Sequence, residues 1–133
     1  MPRSQYQKGA LHQLQPEQVS ARLIAAASTG NPHAQHMVGL MFMNGTGLEQ
    51  DHCKGAAWIQ KAAQQGLPRA QNDLAALYAE GRGLRRNLQQ ALFWLRCAAD
   101  QGLPVARENL KRFCEHSIPL PPLDSSAAPP LPH

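Results

Sequence analysis

Residues 34–68 read AQHMVGLMFMNGTGLEQDHCKGAAWIQKAAQQGLP, and residues 70–104 read AQNDLAALYAEGRGLRRNLQQALFWLRCAADQGLP. Laid over one another at an offset of 36, the two stretches agree in twelve columns: the opening Ala-Gln, two loop glycines with their Leu, one Trp, an Ala pair and the closing Gln-Gly-Leu-Pro. A fixed period of this length marks an array of stacked supersecondary units. The frame runs on in both directions. Ala26, Ala27, Gly30 and Pro32 precede the first copy in phase, and Ala106, Leu110 and Phe113 follow the second. The spacing therefore predicts two full repeats, about 34–69 and 70–105, flanked by half repeats.

Within each unit the punctuation is helical. Pro32, Pro68 and Pro104 each stand two residues after a glycine, Gly30, Gly66 or Gly102. That order suits Gly just past the end of one helix and Pro in the first turn of the next. Asp51 and Asn87 fall in the same column after the Gly-x-Gly-Leu loop, where a side-chain oxygen caps a helix start, and Gln90 three residues after Asn87 has capping-box spacing. Six helices are predicted, at about 16–29, 32–44, 51–65, 68–80, 87–101 and 104–116. Ala34, Val38, Met41 and Phe42, and likewise Ala70, Leu74, Leu77 and Tyr78, recur at i, i+4, i+7 and i+8 and give each first helix one buried stripe. In the second helices Trp58 and Trp94 stand opposite the pairs Ala62-Ala63 and Ala98-Ala99, a large wedge against small residues that let helix axes approach.

The composition agrees. The 133 residues suffice for one domain, and they hold 20 Ala and 14 Gln against eight Val, Ile and Thr together, which excludes an all-β fold. No apolar run approaches the roughly 20 residues of a membrane span, and MPRSQYQKGALHQLQPEQ lacks the apolar core of a signal peptide, so a cytoplasmic location is expected. Residues 1–15 read as a flexible extension, 16–116 as the repeat domain, and 117–133 as a tail carrying six of the eleven prolines.

The pattern A-x-x-x-[VL]-[GA]-x-x-[FY]-x-x-G-x-G-L, followed in both copies by W-x-x-x-A-A-x-x-G, resembles the Sel-1-like repeat, a relative of the tetratricopeptide repeat. It covers about residues 19–114, departing where Gly39 becomes Ala75 and Gly55 becomes Ala91. The resemblance implies an all-α, right-handed α/α solenoid of antiparallel helix pairs whose first helices line a concave face. It also implies a protein-binding adaptor. Bacterial members are associated with envelope assembly, secretion and host interaction, and a cysteine-rich subset with β-lactam binding or hydrolysis.

If each first helix buries its Ala, Val/Leu and Phe/Tyr columns, other positions fall on the opposite, groove-lining face. They are His33, His36, Leu40, Met43 and Asn44, then Arg69, Asn72, Ala76, Ala79 and Glu80, then Val105, Glu108, Arg112 and Glu115. This mixture of apolar, amide and charged groups suits an extended peptide or a partner helix. A solvated scaffold face would carry the same residue types.

Other chemistry is thinly represented. No Ser-x-x-Lys, Gly-x-Ser-x-Gly or His-Glu-x-x-His arrangement occurs, so a non-enzymatic protein without cofactor is expected. His33 and His36, three apart, with His52 nearby, find no Cys or carboxylate in the segment to complete a metal set. The loops GTGL and GRGL lack the Lys-Ser/Thr of a phosphate loop, so their glycines read as turn residues. A formal charge of +4 is a weak hint of an acidic partner. Arg82, Arg85 and Arg86 form the densest basic patch and give the alternative reading, a surface for nucleic acid or acidic protein. No aromatic is interleaved there for base stacking. Cys53 and Cys97 align with Gln89 and Lys61 rather than with cysteines, and helical rise offsets Cys97 from Cys114 by roughly 7 Å, so buried free thiols are expected. Leu110 and Phe113 imply an apolar end to the array, which Ile118, Leu120 and Leu123 of the tail would cover in the same molecule or by self-association.

Overall fold

The computed structural model describes residues 16–116; the extension and the tail named above lie outside them. Six helices of 13 residues follow one another: α1 Pro16–Ser28, α2 Pro32–Asn44, α3 His52–Gln64, α4 Pro68–Glu80, α5 Leu88–Asp100 and α6 Pro104–His116. Starts at 16, 52 and 88, and at 32, 68 and 104, reproduce the 36-residue period. Each helix packs on its neighbours in the chain. The result is an all-α repeat array, with full units α2–α3 and α4–α5.

The predicted ends hold to within one residue, because the caps themselves were included in the predicted helices. Asp51 Oδ1 accepts from Lys54 N at 3.1 Å and Asn87 Oδ1 from Gln90 N at 3.0 Å, both cap residues being extended. Asn31 caps α2 in the same way, and each such cap contributes about 1 kcal/mol. Gly45 and Gly81 close α2 and α4 at φ +71°, in the left-handed region where an L side chain is strained.

The core is made of small residues and a few aliphatics. Val38, Ile59 and Leu74 are fully enclosed, with Ala56, Ala62, Ala63, Ala70, Ala98 and Ala106 beside them. Trp58 and Trp94 pack against these clusters as wedges. Side-chain polar groups, of which Gln35 and Gln71 are buried, form a ladder that repeats with the helices. Gln35 Nε2 donates to Ala27 O at 3.1 Å, Gln71 Nε2 to Ala63 O at 3.2 Å, and Arg107 Nε, in the same column, to Ala99 O at 3.3 Å. Gln65 Nε2 donates to Gly30 O and Gln35 Oε1, and Gln101 Nε2 to Gly66 O and Gln71 Oε1. Buried amides paired in this way avoid the desolvation penalty and lock each hairpin to the previous one.

Leu110 and Phe113 are half-buried and pack against Ala75, Leu95, Ala98, Ala99 and Ala106. The exposed residues of α6 are mostly charged, Arg107, Glu108, Lys111, Arg112 and Glu115 standing beside Val105. One expectation is corrected. The cysteines are free, as expected, but Cys53 and Cys114 are exposed and Cys97 is half-buried. Their columns face outward on their helices. Burial pushes the Cys97 thiol up, with Asp100 adding in the same direction.

Candidate functional site

The first helices α2, α4 and α6 are tied across one face by two bridges one period apart. His36 Nε2 lies 2.6 Å from Asp73 Oδ2, and Asn109 Nδ2 donates to Asn72 Oδ1 at 3.1 Å. His36 is thereby engaged by Asp73, while His52 Nε2 lies 3.3 Å from Gln50 Nε2. Beside the second bridge opens a groove of about 360 Å³ between α4, α5 and α6. Its floor is Ala75, Ala76, Ala79, Ala91 and Leu95, with Phe113 as one wall. Asn72, Glu80, Asn109 and Arg112 stand at its rim. An apolar floor with a few convergent polar groups suits one or two large apolar side chains of a ligand held by its amides.

At the equivalent place in the first repeat, Leu40 and Met43 occupy the columns of Ala76 and Ala79. Met43 is 5% exposed in the main core cluster, and Leu40 packs against that cluster. Met43 is therefore not a groove residue, contrary to the helical-wheel expectation. The reason is the close approach of α2 and α3: a Cβ on Gly39 would stand 2.9 Å from Gly55 O, and one on Gly55 would stand 2.6 Å from Met43 Sδ. The two glycines bring the axes together, and Met43 lies over Gly55.

Of the other expected residues, the groove gathers Asn72, Ala76, Ala79, Glu80 and Arg112. His33, Asn44, Arg69, Val105, Glu108 and Glu115 are exposed but do not line it, and His36 is half-buried in its bridge. The rest of the lining, Ala75, Ala91, Leu95, Asn109 and Phe113, was not among the residues expected from the sequence to form the groove. The readable signal was the paired exchange of Leu40 and Met43 for Ala76 and Ala79.

The basic loop divides. Arg86 Nε donates to Ala79 O at 3.1 Å, the task Gln50 Nε2 performs for Met43 O at 2.9 Å in the first repeat. Arg82 Nε lies 3.4 Å from Glu80 Oε1, and Arg85 is exposed. Two of the three arginines thus have contacts within the fold. Among the described residues no group of three His, Cys, Asp or Glu side chains is placed to hold a metal, and no helix is long and apolar enough to cross a membrane.

Paired antiparallel helices in a 36-residue period, with the first helices sharing a bridged face, define a helical-repeat scaffold. The Sel1 repeat profile matches residues 32–67 and 68–103, and the chain belongs to that family. Such proteins are generally protein-interaction scaffolds. Among solved structures, the chain is similar to a Sel1 repeat protein from Oxalobacter formigenes, with 32% identity and a TM-score of 0.70 over 73% of this chain and 40% of that one. It is also similar to a protective antigen of uropathogenic Escherichia coli displaying an SLR fold, at 31% identity and TM-score 0.71, over 73% of this chain and 21% of that one. Cysteine-rich protein B of Helicobacter pylori shares the fold at 21% identity and TM-score 0.71, with 74% of each chain covered. Comparison with curated proteins finds no match. The chain thus spans less than half the length of the first two structures.

Proposed function

We propose that this protein is a non-enzymatic adaptor that holds an extended peptide or a helix of another protein across the face of α2, α4 and α6, with the groove between α4, α5 and α6 as its anchor. The observation that carries this reading is the groove itself: an alanine floor and Phe113 wall with Asn72, Asn109, Glu80 and Arg112 at the rim. An apolar hollow offers affinity and the amides offer register along a peptide backbone. The concave residues of the first repeat, His33, His36 and Asn44, and Arg69 between the repeats, extend the track beyond the anchor.

The test is a selection of displayed random twelve-residue peptides on the full chain at moderate salt, followed by titration of the winners. Affinity is expected to fall at least tenfold in an Asn72→Arg, Ala76→Glu variant and to stay unchanged in Arg85→Glu. The reverse pattern, with binding abolished by salt and by Arg85→Glu, would transfer the function to the Arg82, Arg85 and Arg86 loop and an acidic or nucleic-acid partner.

A further inference from the structure

We propose that the groove between α4, α5 and α6 is occupied in the free protein by the chain's own segment 118–124, IPLPPLD, which a partner must displace. The proposal rests on reading that groove as the peptide-binding anchor, and it names the first ligand the groove meets.

Proximity is the first argument. The tail begins at residue 117, directly after α6, and Arg112 and Phe113 of the groove lie about one turn earlier, roughly 6 Å back along the helix. Three or four extended residues reach about 13 Å, so Leu120 can return to the hollow without any movement of the helices. Chemical fit is the second. Pro119, Pro121 and Pro122 have no N–H, so the segment presents mostly carbonyl acceptors together with Ile118, Leu120 and Leu123. The groove presents an apolar floor and, at a rim that also holds the Glu80 carboxylate, the donors of Asn72, Asn109 and the Arg112 guanidinium, whose Nε lies 3.6 Å from Glu108 Oε2. Asn109 spends one amide hydrogen on Asn72 Oδ1, and its second is directed elsewhere.

Charge is the third. Asp124 is the one acidic residue beyond His116, and it would follow the apolar residues toward Lys111 and Arg112, both exposed on α6. Because proline fixes φ, a segment rich in it loses less conformational freedom on binding than an ordinary one. Tethering then gives the segment a millimolar effective concentration at the groove, enough to compete with a free peptide of moderate affinity.

The experiment uses the full chain, isotopically labelled, in solution. Nuclear Overhauser contacts are expected between the Phe113 ring and the methyl groups of Ile118, Leu120 or Leu123, within a single chain that tumbles as a monomer. They should vanish in Ala79→Met, which copies the filled first repeat, and in a Leu120→Glu, Leu123→Glu variant whose changes lie outside the helices. The second variant should also bind the selected peptides about tenfold more tightly, the tethered competitor having been removed. Absence of those contacts, or contacts that form only between differently labelled chains, would overturn the proposal. If the selected peptides still bind and still depend on Asn72 and Ala76, the tail assignment alone falls; if they do not, the groove reading falls with it.

Discussion

The two repeats share their helix starts, the Asp51 and Asn87 caps, glycine corners and glutamine ladder, yet they distribute volume differently along the same seam. In the first, Gly39 and Gly55 bring α2 against α3 and Met43 and Leu40 fill the space that remains. In the second, Ala75 and Ala91 replace the glycines, and Ala76 and Ala79 replace the large side chains, leaving the groove. The hydrogen-bond framework is common to both, so the fold does not depend on whether the seam is filled. Under the function proposed above, binding follows from two side-chain columns and stability from the rest.

That contrast can be broken in several places. Met43→Ala has the largest expected effect: removal of a 5% exposed side chain should lower unfolding free energy by about 2–5 kcal/mol and open a second groove, measured by denaturant titration and by peptide stoichiometry. Gly39→Ala should cost about 1–3 kcal/mol, because its new methyl would stand 2.5 Å from Ile59 Cγ1. The reciprocal Ala75→Gly should cost about 2 kcal/mol, the helix-propensity difference plus one buried methyl, with no clash involved; a Gly39→Ala variant as stable as the parent would contradict the asymmetry of the two crossings. Gln71→Ala should lose about 1–2 kcal/mol by removing the side-chain bonds to Ala63 O and from Gln101 Nε2, with Gln35→Ala matching it, since the two sets of bonds are repeats of each other.

The smallest effect is with pH. Burial raises both the Cys97 thiol and the Tyr78 hydroxyl above their ordinary values. Each is neutral in the folded chain over a range where the unfolded chain already ionises. Stability is therefore full below the ordinary thiol and phenol values and declines as pH rises above them. A Cys97→Ala, Tyr78→Phe variant should flatten that decline in thermal melts taken across the range.

Much of this was legible in the sequence because it is local. The period, the Gly-Pro corners and the Asp51 and Asn87 caps depend on residues a few positions apart, and they are where expected. Met43 was misplaced because a helical wheel gives direction but not distance: its burial follows from the glycines on two different helices that let α3 come close. Asn109 and Phe113 fell outside the columns assigned to the groove face, and they join the groove only when α6 stacks on α4 and α5. Arg107 stands in a glutamine column, and only its bond to Ala99 O shows that a different residue type continues the ladder. The outward cysteines were read from residue-type averages, which carry no information about an individual helix face.

The most direct test of the central claim is calorimetric titration of a selected peptide into the full chain and into an Ala76→Leu, Ala79→Met variant, which gives the second repeat the side chains of the first. The groove account predicts that the variant melts at or above the temperature of the parent and loses at least tenfold in affinity. Unchanged affinity in a variant that folds normally would contradict it and place the binding surface elsewhere on the array.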